Sequence, residues 1–417
     1  MGCVRKGGAE SPHSTGRCYN ARPMKNTRRG FFSRILIGVL ALGCALGISV
    51  AAWGQKNGSQ YVMYVGTYTT KQESKGIYAY RFDTATGKLA DRALVAESVD
   101  PSFVAISPSG KYLYAVNELD EFNGAKSGAV SAFAIDPKTT KLKLLNQVST
   151  HGGGPCYVSL DSTGKWVLVA NYGAGSVASF EVQGDGSLSL VKGFVQHAGS
   201  GADPERQKGP HAHWIATSPD NRFALAADLG LDDVLIYKLD YEKGTLTSNT
   251  PPYAQVKPGT GPRHFAFHPN GKFGYVLTEM ATTVTAFSWD TKKGALTTIQ
   301  TVPTLPKDYS GPTEAAEIAV HPTGKFLYAS NRAGVDTITV FSIDAKGMLK
   351  ETQRVSTKGR TPRNFAIDPT GQYLLAANEE SGNIVVFKID AGTGALTATG
   401  EEAKLSAPVS LAFVTTQ

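Results

Sequence analysis

Along most of the chain, short runs of alternating apolar and polar residues are separated by turns rich in glycine, proline and asparagine. This is a strand pattern, not a helical one. One phrase recurs six times: PSGKYLYAVN, STGKWVLVAN, PDNRFALAAD, PNGKFGYVLT, PTGKFLYASN and PTGQYLLAAN. Each copy is a turn followed by a β-type run that ends in a polar residue. The turn residues Gly110, Gly164, Asn221, Gly271, Gly324 and Gly371 are spaced roughly 50 residues apart. Self-similarity at that period predicts an array of identical supersecondary units.

The fourth copy shows what the unit is. Residues 263–269 alternate like a strand, and Asn270-Gly271 makes a turn. Phe273 to Thr278, Thr283 to Trp289 and Leu296 to Val302 follow as three further strands. Four antiparallel strands per unit make a propeller blade. The third strand repeats as GAVSAFAID, GSVASFEV, DVLIYKLD, TITVFSID and NIVVFKID. Outside the six copies, YVMYVGTYT, GIYAYRFD and LADRALVAES supply three strands at the start, and PVSLAFV supplies one at the end. The pattern therefore predicts an all-β fold. It is a seven-bladed β-propeller of four-stranded antiparallel blades, with the ring closed by N- and C-terminal strands.

Charge divides the chain. Of 42 Lys/Arg and 35 Asp/Glu, eight and one fall in residues 1–52, which leaves 34 of each in the remainder. The propeller is neutral overall and has no basic footprint for nucleic acid. The basic leader includes Met24 to Phe32 (MKNTRRGFF) followed by an apolar stretch from Ile35 to Ala52. It reads as a twin-arginine-type export signal or an N-terminal anchor that engages the membrane and export machinery. Residues 53–60 form a short linker and 61–417 the propeller. The expected location is periplasmic or otherwise extracytoplasmic. Cys3, Cys18 and Cys44 lie in the leader, so Cys156 alone remains in the propeller and no internal disulfide is available to it. Its place at the start of a strand, PCYVSL, suits a small buried thiol.

In an antiparallel blade, the start of the first strand and the end of the second share one rim. Residues at those positions from all blades converge on one mouth of the central channel. They are polar here. First strands begin with His211 and His213, Arg263 and His264, Glu314 and Glu317, and Arg363 and Asn364. Second strands end with Asn117 and Glu118, Asn171 and Tyr172, Asp228, Glu279, Asn331 and Arg332, and Asn378 and Glu379. Arg263 and Glu279 are one hairpin apart and should be neighbours. Arginines grip carboxylate or phosphate through forked hydrogen bonds and stabilise a developing oxyanion. A histidine or Glu279 could carry a proton. No GxSxG nucleophile motif is present, and His211 with His213 is a poor metal set without further ligands. Blander roles fit some of these residues: the recurring asparagines as caps between blades, and Glu279 as a plain ion-pair partner of Arg263.

Together, GPHAHW, ADLGLDDVLIY, GPRHFAFHPNGKFGYVLTE, AEIAVHPTGKFLYASNR and RTPRNFAIDPTGQYLLAANEESGNIVVF resemble the seven-bladed lactonase family. That family includes propeller-type 6-phosphogluconolactonase and the fungal carboxy-muconate lactonizing enzyme. The similarity runs from about Tyr61 to the end. It implies a metal-independent, cofactor-free site at one end of the channel. The histidine, two arginines and glutamate that form the site in the fungal lactonizing branch fall by motif on His211 or His213, Arg263, Glu279 and Arg332. Asn171, Asp228, His264, Glu317, Arg363 and Asn378 are the candidate substrate-binding residues around it. The expected reaction is hydrolysis of a sugar-acid lactone, with a small anionic lactone or sugar acid as partner. The alternatives are a non-catalytic binding propeller and a muconate lactonizing enzyme. The export signal argues for an aldonolactone other than the cytosolic phosphorylated one. The expected assembly is a monomer or weak dimer.

Overall fold

The computed structural model describes residues 60–415. The leader expected in residues 1–52 lies outside the described residues. Of the expected linker, Gln60 already belongs to the first strand, Gln60–Thr67. All regular structure in the described residues is β, in seven four-stranded antiparallel sheets. Among these residues no helix is long and apolar enough to cross a membrane.

Six blades follow one another in the chain, with inner strands Val104–Ile106, Pro155–Leu160, Ala212–Thr217, Pro262–Phe267, Glu314–Val320 and Pro362–Ile367. They are called blades one to six here. The seventh, the closure blade, takes its inner strand Pro408–Thr415 from the C-terminal end and its other three, Gln60–Thr67, Gly76–Asp83 and Lys88–Glu97, from the N-terminal end. Each inner strand touches the next, and Pro408–Thr415 touches those of blades six and one, so the ring is complete. The closing pair runs from Tyr61 opposite Thr415 to Thr67 opposite Pro408. It leaves no unpaired strand edge at the seam.

The alternating pattern explains the packing. Both faces of each second strand are covered, because a blade is sandwiched between two neighbours; Trp166–Asn171, Phe223–Asp228 and Tyr373–Asn378 are buried along their whole length. Seven apolar clusters fill the seven interfaces. One of them joins Trp214, Leu225 and Ile236 of blade three to Phe265, Val276 and Phe287 of blade four. Outer strands are mostly exposed, as in Leu246–Gln255. The repeated turn residue has φ between 57° and 77° in all six copies, which is why glycine, or asparagine at 221, occupies it.

In five blades a polar residue at the end of the second strand ties the blade to the one before it, whereas Thr278 of blade four and Thr67 of the closure blade bond within their own blades. The side-chain amides of Asn117, Asn171, Asn331 and Asn378 donate to the carbonyls of Val99, Thr150, Thr304 and Thr357. Each acceptor lies just past the outer strand of the preceding blade. In blade three the same position is Asp228, whose carboxylate meets His197 Nδ1 at 2.6 Å, just past the outer strand Gly193–Gln196.

Candidate active site

Two local features build the mouth of the channel. The first is a β-bulge at the start of the inner strand, present in blades two to six and in the closure blade. The extra residue is Cys156, His213, Arg263, Arg363 and Val409, with Ala316 and Glu317 together opposite Ser330 in blade five. A bulged residue leaves the ladder and its side chain is re-aimed. The second is strand parity. Because the buried polar residue closing each second strand faces the blade interface, the next residue faces the mouth. Those residues include Tyr68, Glu118, Tyr172, Glu279, Arg332 and Glu379.

These side chains surround a cleft of about 270 Å³ lined by Glu118, Cys156, Tyr172, Arg206, His213, Glu279, Glu314, Arg332 and Arg363. A recess of about 10 Å³ adjoins it, bounded by Ser102, Phe103, Val409, Arg263 and His264 together with Glu118, Cys156, His213 and Arg363, which line the cleft as well.

Glu279 is the hub. Its Oε1 accepts from Arg206 Nη2 at 2.7 Å, and its Oε2 from Arg263 Nε at 3.0 Å and Arg332 Nη2 at 2.9 Å. Burial alone would raise the carboxyl, but Arg332, Arg263 and Arg206 overcome it and hold its pKa down to about 2. Arg263 is 1% exposed. Burial, followed by Arg332 and Arg363, lowers its pKa to about 10, which still leaves it charged at neutral pH. Its Nη1 donates to the Ala316 carbonyl at 2.6 Å and faces His264 Nε2 at 3.3 Å. Arg332 Nη1 lies 3.6 Å from Glu314, and its buried Nε has no partner. Arg363 stacks on the Tyr68 ring with its Cζ 5.3 Å from the centroid, and its Nε lies 4.0 Å from Glu379. Burial works against its charge, yet Tyr68, Glu118, Glu379 and Glu279 raise its pKa above that of an ordinary arginine.

His213 is buried, 3.7 Å from Cys156 Sγ through Nδ1, with its ring against those of Tyr172 and His264. Burial, then Arg263, His264 and Arg363, holds the imidazole well below its ordinary pKa, so it is neutral. Below the cleft, His264 Nδ1 donates to Glu317 Oε1 at 3.1 Å, and Asn364 donates to Glu317 Oε2 at 2.5 Å. With Nε2 accepting from Arg263, His264 links two charged groups while remaining uncharged itself; burial lowers its pKa although Glu317 pulls the other way. The arrangement is a fixed array of guanidinium donors around a water-accessible cleft. It can polarise a carbonyl and hold the oxyanion or carboxylate that develops from it.

The family model described as "Lactonase, 7-bladed beta-propeller" matches residues 62–413. The chain belongs to the seven-bladed β-propeller lactonase family. It is 39% identical over 358 residues to a 6-phosphogluconolactonase of Bacillus subtilis, covering 85% of this chain and 99% of that one. A 6-phosphogluconolactonase of Formosa agariphila is 36% identical over 356 residues, with 85% and 99% coverage. Among solved structures, the periplasmic gluconolactonase of Pseudomonas aeruginosa superposes with a TM-score of 0.81 at 34% identity, covering 86% of this chain and all of that one.

In this lactonase-family propeller the residues expected at the mouth divide into three groups. His213, Arg263, Glu279, Arg332 and Arg363 meet at the cleft and its recess. The register singles out His213 over His211: Ala212 pairs with Asp228 as Pro262 pairs with Thr278, so His213 takes the bulge that Arg263 takes in the next blade. His211 does not line the cleft. It stacks on Tyr172 and its Nδ1 bonds the Tyr172 carbonyl at 3.0 Å. His264 contacts the recess and Glu317 lies behind it, where they orient Arg263. Asn171, Asn378 and Asp228 are fully buried at blade interfaces and do not reach the cleft, because strand parity turns them away from it.

Arg206, in the connection between Gln196 and Ala212, is a site residue that repeat reasoning missed. That connection is the longest between blades and enters at the mouth rim, which was the available signal. Among the described residues no group of three or more His, Cys, Asp and Glu could hold a metal ion.

Proposed function

We propose that this propeller hydrolyses an aldonolactone, a reaction of the 6-phosphogluconolactonase type, at the mouth of its channel. The observation that carries this reading is the convergence of Arg206, Arg263 and Arg332 on the single carboxylate of Glu279, with Arg332 Nε buried and unpartnered beside the cleft. Arg332 lines the cleft, where its guanidinium can donate to a bound acceptor. A lactone carbonyl supplies an acceptor, and the tetrahedral oxyanion formed by attack of water supplies a stronger one. Each well-placed donor to such an oxyanion is typically worth about 3–4 kcal/mol in barrier height. Glu279 fixes the guanidinium planes before substrate arrives.

Charge bears on which lactone. Four arginines at the mouth, Arg206, Arg263, Arg332 and Arg363, stand among five carboxylates, Glu118, Glu279, Glu314, Glu317 and Glu379. A mouth with no excess of positive charge suits a neutral lactone whose negative charge develops during the reaction. It suits a dianionic phosphate less well. The basic leader with its twin arginines and apolar stretch, read as an export signal, favours the same unphosphorylated aldonolactones, encountered outside the cytoplasm.

The test is initial-rate hydrolysis of glucono-δ-lactone and of 6-phosphoglucono-δ-lactone by the purified protein. Acid release is followed at mildly acidic pH with the spontaneous rate subtracted. We expect turnover of both, with the larger kcat/KM on the unphosphorylated lactone. Arg332→Ala should lower kcat by two orders of magnitude or more. Equal activity in wild type and Arg332→Ala would remove the proposed site. A clear preference for the phosphorylated lactone would overturn the charge argument.

A further inference from the structure

We propose that Glu118 is the general base of this reaction, taking a proton from a water held in the recess beside the cleft. The inference rests on the lactone-hydrolysis reading above.

The other acids at the mouth are less well placed: Glu379 lies 4.0 Å from Arg363 and lines neither the cleft nor the recess. Both oxygens of Glu279 are occupied by arginines. Both oxygens of Glu317 are occupied as well, by His264 and the Ile318 N–H on one and Asn364 on the other. Glu314 lines the cleft but not the recess, is partly exposed and lies 3.6 Å from Arg332 Nη1. His213 turns its Nδ1 toward Cys156, and the cations around it oppose a further positive charge.

Glu118 differs in two ways. It lines both the cleft and the recess, so it faces the space where a lactone carbonyl sits and the space from which a nucleophile would approach. It is anchored at one oxygen only: Tyr68 donates its hydroxyl to Oε2 at 3.0 Å, while Oε1 carries no hydrogen bond or ion pair among the described contacts. Tyr68 is itself held under the Arg363 guanidinium, and the Glu118 N–H donates to the Asp100 carbonyl at 3.1 Å. The carboxylate is thus oriented with one oxygen open. A base needs that geometry before its basicity matters.

The recess supplies the water site. At about 10 Å³ it has room for roughly a single water. Its wall includes Ser102, whose buried Oγ has no partner in the protein, together with Glu118 and neutral His213. A polar space of that size with an unmet hydroxyl is where a bound water satisfies buried groups.

The step balances. An O–H bond of the water breaks, the proton passes to Glu118 Oε1, and the oxygen bonds to the lactone carbonyl carbon. The carbonyl π pair moves onto the oxygen held by the arginines. Collapse reforms the C=O bond and breaks the ring C–O bond. The departing alkoxide takes the proton from Glu118, which leaves a hydroxy acid and a regenerated carboxylate.

The experiment compares wild type, Glu118→Gln and Glu118→Ala on glucono-δ-lactone, with thermal midpoints measured to establish that each variant is folded. General-base removal costs on the order of 10²–10⁴ in rate. Glu118→Gln should therefore lose at least about a hundredfold in kcat with KM nearly unchanged. Formate, a small carboxylate that fits the vacated space, should restore turnover to Glu118→Ala. A Glu118→Gln enzyme within tenfold of wild-type kcat would overturn the assignment. So would a folded, inactive Glu118→Ala enzyme that formate does not rescue. A wild-type protein that turns over no lactone would instead overturn the reaction on which the assignment rests.

Discussion

Glu279→Gln removes one negative charge from the centre of three guanidinium groups and keeps the shape of the side chain. Its cost can be worked from the structure. The carboxyl is displaced from 4.5 to about 2, which corresponds to about 3 kcal/mol favouring the ionised form. The glutamine also leaves Arg263, 1% exposed, without a buried counter-charge. Breaking such a pair from one side typically costs about 3–5 kcal/mol. The pH dependence follows from the sign of the shift. The folded-state pKa lies below the unfolded one, so the stabilisation is fully present above about 4.5 and is lost as pH falls toward 2. The stability gap between wild type and Glu279→Gln should therefore be widest at pH 5 and above, with about 2 kcal/mol of it gone by pH 3. Denaturant unfolding at pH 7, 5, 4 and 3 measures this, followed by the fluorescence of buried Trp166, Trp214 and Trp289. A gap that stays constant from pH 5 to pH 3 would refute the argument, since Glu279 would then not be losing a charge that the arginines stabilise.

Arg206→Ala should raise KM several-fold while changing unfolding free energy by less than about 0.5 kcal/mol, because the side chain is substantially exposed and its pairing is screened; steady-state kinetics with a denaturation curve checks both. Asn171→Ala should do the opposite, lowering stability by about 1–3 kcal/mol through the lost contacts to Thr150 and Ser176 with kcat and KM retained, which distinguishes a blade staple from a substrate ligand. Cys156 should resist thiol reagents at pH 8 in the native protein and react on unfolding, since burial, followed by the nearby Glu118 charge, raises its thiol pKa.

The blades were legible in the sequence because their information is periodic. A turn residue forced to positive φ, a buried second strand and a matching third strand recur at one spacing, so six noisy copies reinforce one reading. The closure blade followed from counting strands at the two ends. The pairing of Arg263 with Glu279 followed from the length of one hairpin, and the structure places them 3.0 Å apart. Arg206 was not legible by the same route, because it lies outside the repeated strands, in the longest connection between blades. Asn171, Asn378 and Asp228 were grouped with the mouth because sequence spacing alone does not fix which of two adjacent residues turns toward the channel.

That last ambiguity has one physical source. A strand alternates its side chains, so any inserted residue reverses the assignment of everything before it. The inner strands carry such an insertion in six blades, and it falls at the first turn of the ladder, where the chain leaves a loop and no upstream periodicity marks it. His211 and His213 are equivalent by parity but not by register, and only the pairing of Ala212 with Asp228 separates them. The bulge also explains why the mouth tolerates its chemistry. An unpaired backbone position frees Arg263 and Arg363 from the ladder geometry and lets neighbouring cations aim at separate partners: Glu279 and the Ala316 carbonyl for one, the Tyr68 ring and Glu379 for the other. With five blades each delivering one such residue to the cleft or its recess, the scaffold can stay constant while that single position changes among cysteine, histidine, arginine and valine. Substituting the bulge residue of one blade should therefore alter kcat or KM in steady-state assays while leaving the apolar clusters between blades in place.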